Sequence, residues 1–178
     1  TWRMWDMETG ACILIQEGHA DAVYGLAFQC DGALVATSDL AGIGRIWDLR
    51  SGKSVFVMKG HTKKVIGLDF NPNGVEVASG SEDNCIRIWD LRRKGIRKNI
   101  AAHLSMVSCV KYQPGNEGCF LLSTSFDNTV KIWGTSGYSQ VTSLKGHEGR
   151  VTYCDISPKD SSIVSVSSDR TMKFWGGV

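Results

Sequence analysis

The side chains able to carry acid–base, metal or nucleophilic chemistry are four histidines (His19, His61, His103 and His147), six cysteines and 18 carboxylates. A zinc or general-base site brings such groups together, as H-E-x-x-H does on one helix face. Here the histidines stand 42, 42 and 44 residues apart, and none lies at a zinc-finger spacing from a cysteine. Cys12, Cys30, Cys85, Cys109, Cys119 and Cys154 form no C-x-x-C pair, so no metal site is expected. The phosphate-cradling G-x-x-x-x-G-K-S/T loop and the G-x-S-x-G elbow are both absent. Gly42-Ile-Gly-Arg-Ile-Trp47 begins like a dinucleotide fingerprint, but it lacks a third glycine and a following helix and reads as a hairpin. No residue receives a catalytic role, and neither a cofactor nor a small-molecule substrate is expected. The chain reads as a non-enzyme.

What the histidines do share is a phase. Trp5, Trp47, Trp89, Trp133 and Trp175 recur at 42, 42, 44 and 42 residues, in step with them. Glycine precedes three of the histidines and Ala102 the fourth, while Asp6, Asp48 and Asp90 follow three of the tryptophans. A self-similar period of this length marks a repeat architecture.

The elements that must position these residues are strands. Alternating runs follow each histidine: Val23–Phe28, Val65–Phe70, Val107–Tyr112 and Val151–Ile156. Next come a turn, a second apolar run such as Cys119–Thr124, and a tight turn at Asp83-Asn84, Asp127-Asn128 or Asp169-Arg170. A third strand ends at the tryptophan, and a fourth, such as Ser54–Met58, precedes the next histidine. No segment has the i, i+3, i+4 spacing of a useful helix. Four short strands per period predict an all-β propeller. It has four complete repeats plus the end of a fifth, with units at approximately 1–10, 11–52, 53–94, 95–137 and 138–178.

Composition agrees with a packed, turn-rich chain. Hydrophobic residues make up 42%, which excludes disorder, and the 20 glycines supply turns. Net charge is +2, so nucleic-acid binding does not dominate the composition. Strictly apolar stretches reach only about four residues, too short to span a membrane, and no signal-peptide pattern opens the chain. Most cysteines fall in β-like runs and are expected to be buried, reduced thiols of a reducing compartment.

With Gly-His, hairpin Asp and Trp recurring in phase, the units resemble the WD-repeat family along the whole chain. In that family His, the hairpin Asp, a Ser or Thr and the Trp form a hydrogen-bonded network. The resemblance implies this role for His61, Ser79, Asp83 and Trp89, for His103, Ser123, Asp127 and Trp133, and for His147, Ser165, Asp169 and Trp175. In the first complete unit it implies the role for His19, Thr37 and Trp47, but Ala41 stands six residues before Trp47 where Asp is expected, and Asp39 lies two positions early. His19 is therefore expected to lack its partner unless the turn is remodelled around Gly42 and Gly44, which gives an irregular turn and a weaker blade. Family propellers most often have seven blades, so the chain reads as part of a longer propeller.

The resemblance further implies partner binding at Glu82, Phe126 and Ser168, just before each hairpin Asp, and at Lys64, Met106 and Arg150, just before each first strand. Phe126 has the alternative of packing on its neighbouring blade. The run Arg92, Arg93, Lys94, Arg97 and Lys98 lies between third and fourth strands on the opposite face. It reads either as a contact for RNA phosphates or as a solvated turn.

A narrower resemblance rests on Gln16-Glu-Gly-His19, Gly44-Arg-Ile-Trp-Asp-Leu-Arg-Ser-Gly52, Ala102-His103, Val110-Lys-Tyr-Gln-Pro114, Gly146-His-Glu-Gly-Arg-Val151 and Asp169-Arg-Thr-Met-Lys-Phe-Trp175. Together they are similar to the C-terminal propeller of the WD-repeat subunit of the spliceosomal U4/U6 small nuclear ribonucleoprotein. That implies a nuclear scaffold of the U4/U6 and U4/U6·U5 particles in pre-mRNA splicing. Its partners would be another U4/U6 protein and a cyclophilin, with U4/U6 snRNA nearby. The competing expectation is an adaptor of another complex, such as a G-protein β-like scaffold or a ubiquitin-ligase substrate receptor.

Overall fold

The computed structural model describes residues 1–115 and 118–176, and among them every regular element is a β-strand. Strands β1 (Trp2–Trp5) and β2 (Cys12–Gln16) pair as a two-stranded sheet. A four-stranded sheet follows: β3 (Val23–Phe28), β4 (Leu34–Asp39), β5 (Ile43–Asp48) and β6 (Lys53–Lys59). The next holds β7 (Val65–Phe70), β8 (Glu76–Ser81), β9 (Cys85–Asp90) and β10 (Gly95–Ala101). It is followed by β11 (Val107–Tyr112), β12 (Phe120–Ser125), β13 (Thr129–Gly134) and β14 (Ser139–Lys145). The last sheet is β15 (Val151–Ile156), β16 (Ile163–Ser167) and β17 (Met172–Trp175).

All pairings are antiparallel and follow chain order, so each sheet is a meander. The first strands β3, β7, β11 and β15 lie beside one another and line a common axis. From that axis the sheets stack face against face, the arrangement of a β-propeller.

The seams between sheets are where the core sits. Ala36, Ile46 and Met58 meet Leu68, Phe70, Val77 and Trp89 in one seam. Ile86, Ile88 and Ile100 meet Val110, Leu121 and Trp133 in the next, and Leu122, Val130 and Ile132 meet Val151, Ile156 and Ile163 in the third. Each of these side chains, once fully buried, contributes about 1.5–3 kcal/mol. Period-2 alternation puts every second residue of a strand into one seam and the others into the seam behind, which is why central strands such as β8 are buried on both faces.

The sheets keep the period but start later than the sequence units. The bounds 11–52, 53–94 and 95–137 each cut ahead of a fourth strand, whereas β6, β10 and β14 pair back onto β5, β9 and β13. One sequence unit therefore supplies the outer strand of one sheet and the three inner strands of the next. The end of the 138–178 unit, residues 177–178, lies outside the described residues. The cysteines also differ from expectation. Only Cys109 and Cys154 are buried, while Cys12, Cys30 and Cys119 are exposed because they fall at strand starts and turns.

Turns between third and fourth strands use one left-handed residue each: Gly10, Gly52, Lys94 and Tyr138, with φ of 67°, 65°, 49° and 54°. Glycine enters that region freely, whereas a residue with a Cβ spends about 1 kcal/mol there. Two units accept that cost.

Candidate functional site

Each complete unit closes with the same four groups. Trp89 Nε1 donates to Ser79 Oγ at 2.8 Å, His61 Nε2 lies 2.7 Å from that oxygen, and His61 Nδ1 lies 2.8 Å from Asp83 Oδ2. The corresponding distances are 2.8, 2.8 and 2.9 Å around Trp133, Ser123, His103 and Asp127. Around Trp175, Ser165, His147 and Asp169 they are 2.9, 2.9 and 2.8 Å.

Donor counting fixes the protons. Indole only donates, so the hydroxyl accepts from it and turns its own hydrogen to His Nε2, leaving Nδ1–H to donate to the carboxylate. Burial pushes His61 and His103 below the usual imidazole range, more than their aspartates raise them, which keeps both rings neutral. Burial pulls Asp83 upward, but the His61 hydrogen bond and the Thr62 and Cys85 amides outweigh it and leave the carboxyl below its ordinary value. These imidazoles are therefore fully employed inside their blades.

The first complete unit is a correction. His19 does not lack a partner: Asp39 Oδ2 lies 2.7 Å from its Nδ1, with Thr37 Oγ1 2.7 Å from Nε2 and Trp47 Nε1 2.7 Å from Thr37. Asp39 occupies the place of Ser81, whose Oγ accepts the Asp83 amide at 3.1 Å while Asp83 Oδ1 accepts the Cys85 amide at 3.1 Å. Asp39 Oδ1 takes both equivalents, the Ala41 amide at 3.1 Å and the Ile43 amide at 3.0 Å. One longer, doubly accepting side chain replaces two. Nor is the turn irregular: Gly42 takes the left-handed place (φ 86°) held by Asn84 and Asn128.

The residues expected to meet partners come together in pairs on the rim beside these networks. The Glu82 amide donates to Lys64 O at 2.9 Å, the Phe126 amide to Met106 O at 3.0 Å, and the Ser168 amide to Arg150 O at 2.9 Å. Phe126 is half-buried, with the Arg150 guanidinium 5.2 Å from its ring centroid, so it is a cation-capped platform rather than a bare tip. Met106 and Phe126 edge a cleft of about 410 Å³ that descends along the inner strands past Ile66 and Tyr153. Sequence reasoning missed Leu104, which is 92% exposed on the same rim where the other units carry Ala20, Thr62 and Glu148. Aligning the units at their histidines would have found it.

On the opposite rim the basic run is divided. Arg92, Arg93, Lys94 and Lys98 are exposed. Arg97, also exposed over 44% of its side chain, differs in being engaged: it forms an ion pair with Glu76, which is 2% exposed, and stacks 5.8 Å from the Tyr138 ring. Tyr138 Oη in turn lies 2.7 Å from Glu76 Oε2 and 2.9 Å from Tyr112 Oη, tying one sheet to the next. Along the channel wall Asp69 is pushed up to about 6 by burial, against the pull of Lys111 and the Tyr112 amide it accepts at 2.7 Å. Among the described residues no cluster of three or more His, Cys, Asp or Glu could hold a metal ion.

The WD domain, G-beta repeat family matches residues 10–48, 52–90, 95–134 and 138–176. The chain belongs to that family. Among curated relatives, this WD-repeat chain is 51% identical over 59 residues to the U4/U6 small nuclear ribonucleoprotein PRP4-like protein of Arabidopsis thaliana, covering 33% of this chain and 11% of that protein. It is 36% identical over 82 residues to U4/U6 small nuclear ribonucleoprotein PRP4 of Saccharomyces cerevisiae (46% and 18%). It is 34% identical over 73 residues to the small ribosomal subunit protein RACK1y of Oryza sativa subsp. japonica (41% and 22%). The WD-repeat chain thus spans less than a quarter of each of these relatives.

Proposed function

We propose that this WD-repeat chain is a non-catalytic protein-interaction scaffold of the U4/U6 and U4/U6·U5 small nuclear ribonucleoproteins, acting in pre-mRNA splicing in the nucleus. The observation that carries the reading is the 51% identity to the PRP4-like protein, joined by the match to yeast PRP4. The absence of a spare imidazole supports a scaffold, since each histidine is spent on its own blade. Another U4/U6 protein and a cyclophilin are the proposed partners. The proposed contact residues are Leu104, Met106, Phe126 and Arg150, with Lys64, Glu82 and Ser168 at the flanks. Phe126, Met106 and Arg150 are of the aromatic, methionine and arginine types enriched at protein interfaces.

Tagged protein recovered from nuclear extract is expected to bring U4 and U6 RNA and splicing proteins with it. Recovery of ribosomal or signalling complexes instead would favour the RACK1-like adaptor reading, to which the match with rice RACK1y gives specific support.

A further inference from the structure

The β9–β10 hairpin carries more uncompensated charge than any equivalent turn. The β5–β6 turn offers Arg50 and Lys53, and the β13–β14 turn no cation at all. In β9–β10, Arg92, Arg93, Lys94 and Lys98 all face solvent. The one acid at its base, Asp90, accepts the Arg92 amide at 2.8 Å and the Arg93 amide at 3.1 Å through Oδ1, and its single negative charge offsets only one of the four cations. Its other oxygen lies 3.9 Å from Arg93 Nε, and the Arg93 side chain remains 87% exposed.

Lys94 adds a separate observation. It holds a left-handed backbone (φ 49°) at the position where Gly10 and Gly52 stand in two sister turns. Tyr138, the other non-glycine there, is 4% exposed, and its hydroxyl binds Glu76. Lys94 is exposed and makes no side-chain hydrogen bond or ion pair among the described residues, so no such contact offsets its backbone strain there.

We propose that this hairpin docks the phosphate backbone of structured RNA through Arg92, Arg93, Lys94 and Lys98, and that Arg97 takes no part. Arg97 is spent on buried Glu76 and on the Tyr138 ring, although the sequence groups it with the other four. The patch has no aromatic side chain on which an unpaired base could stack, so a folded RNA backbone fits it better than single-stranded RNA. A protein interface would want an apolar centre with charge at its edge; here the one exposed apolar side chain of the run, Ile96 (48% exposed), is outnumbered by the four cations around it. The inference rests on the ribonucleoprotein reading only in taking RNA as the polyanion.

The test is fluorescence anisotropy of a labelled RNA stem-loop of arbitrary sequence with the whole chain. Four phosphate contacts give a log–log salt slope of about −3 to −3.5, so affinity falls about 50- to 150-fold between about 50 and 200 mM salt. Lys94→Gly, which removes the charge and the strain together, should flatten the slope by about one without lowering the melting temperature. Arg97→Ala should leave the slope unchanged while lowering the melting temperature, because Glu76 loses its cation. Circular dichroism on each variant separates lost contacts from lost fold. Three results overturn the proposal: no salt-dependent binding, an Arg97→Ala slope as flat as that of Lys94→Gly, or poly-glutamate displacing the RNA charge for charge, which would point to an acidic protein partner. None depends on recovering a splicing particle, so this test and the extract experiment fail separately.

Discussion

Asp39→Ala tests the claim that one carboxylate does the work of two residues. The substitution strands three donors. His19 Nδ1–H matters most, because its side chain is 1% exposed and no water reaches it. A buried donor left alone costs about 1–3 kcal/mol. The Ile43 amide is half-buried and adds about 1 kcal/mol, whereas the Ala41 amide sits on an exposed residue that water can satisfy. The expected loss is about 2–4 kcal/mol, or roughly 5–15 °C in melting temperature for a chain of this size. Urea titration followed by tryptophan fluorescence reads it. The informative partner is Asp39→Ser/Ala41→Asp, which rebuilds the Ser81–Asp83 arrangement of the sister blade and should recover stability to within about 1 kcal/mol of the parent. An Asp39→Ala variant within about 0.5 kcal/mol of the parent, or a double variant no better than the single, would refute the two-for-one account.

Asp69→Asn should stabilise the chain above neutrality. A carboxyl whose folded value is raised from 3.8 to about 6 contributes stability below its unfolded value and loses it as pH rises through 6. The amide, still able to accept from the Tyr112 N–H, should gain up to about 3 kcal/mol at pH 8 and nothing near pH 3; a loss at pH 8 on chemical denaturation would contradict it. His61 and His103 have the opposite sense: their folded values are depressed, so stability present above their unfolded value near 6.5 should decline as pH falls below it, readable as a falling urea midpoint. Tyr138→Phe removes the hydroxyl between Tyr112 and Glu76 and should cost about 1–3 kcal/mol, with coupling to Glu76→Gln in a double-mutant cycle. Gly67→Ala would set a Cβ 2.9 Å from the Val110 backbone nitrogen, and pushing β7 from β11 should cost about 1–3 kcal/mol by thermal melting; an unchanged melting temperature would mean that the inner strands slide freely.

The propeller was legible because indole and imidazole recur at positions where local strand pattern and long-range packing agree. The first strands Val23–Phe28, Val65–Phe70, Val107–Tyr112 and Val151–Ile156 coincide with β3, β7, β11 and β15 residue for residue. Sequence reasoning went wrong at Asp39 by tying a role to a spacing, when the chemistry needed only an acceptor long enough to reach His19. The split in the basic run was hidden because the partner of Arg97 lies 21 residues earlier on another strand, and a carboxylate buried at a seam does not announce itself in charge counting. Tyr138 could have been recognised: it stands in phase with Gly10 and Gly52, and a bulky residue replacing glycine at a turn asks for a reason. The rim pairs were foreseeable as neighbours, but the Arg150 cap on Phe126 required knowing how far one blade leans toward the next.

The one-strand offset between sequence period and sheet has a consequence for how such a chain can change length. Excising residues 53–94 would remove β6 through β9 and bring β10 up to β5, so the splice yields a complete meander of β3, β4, β5 and β10 with no orphaned edge. Duplication in step works the same way in reverse. Gains and losses of whole periods therefore change how many wedges surround the axis while every hydrogen-bonded ladder stays whole, and an out-of-step deletion is penalised at once by a bare strand.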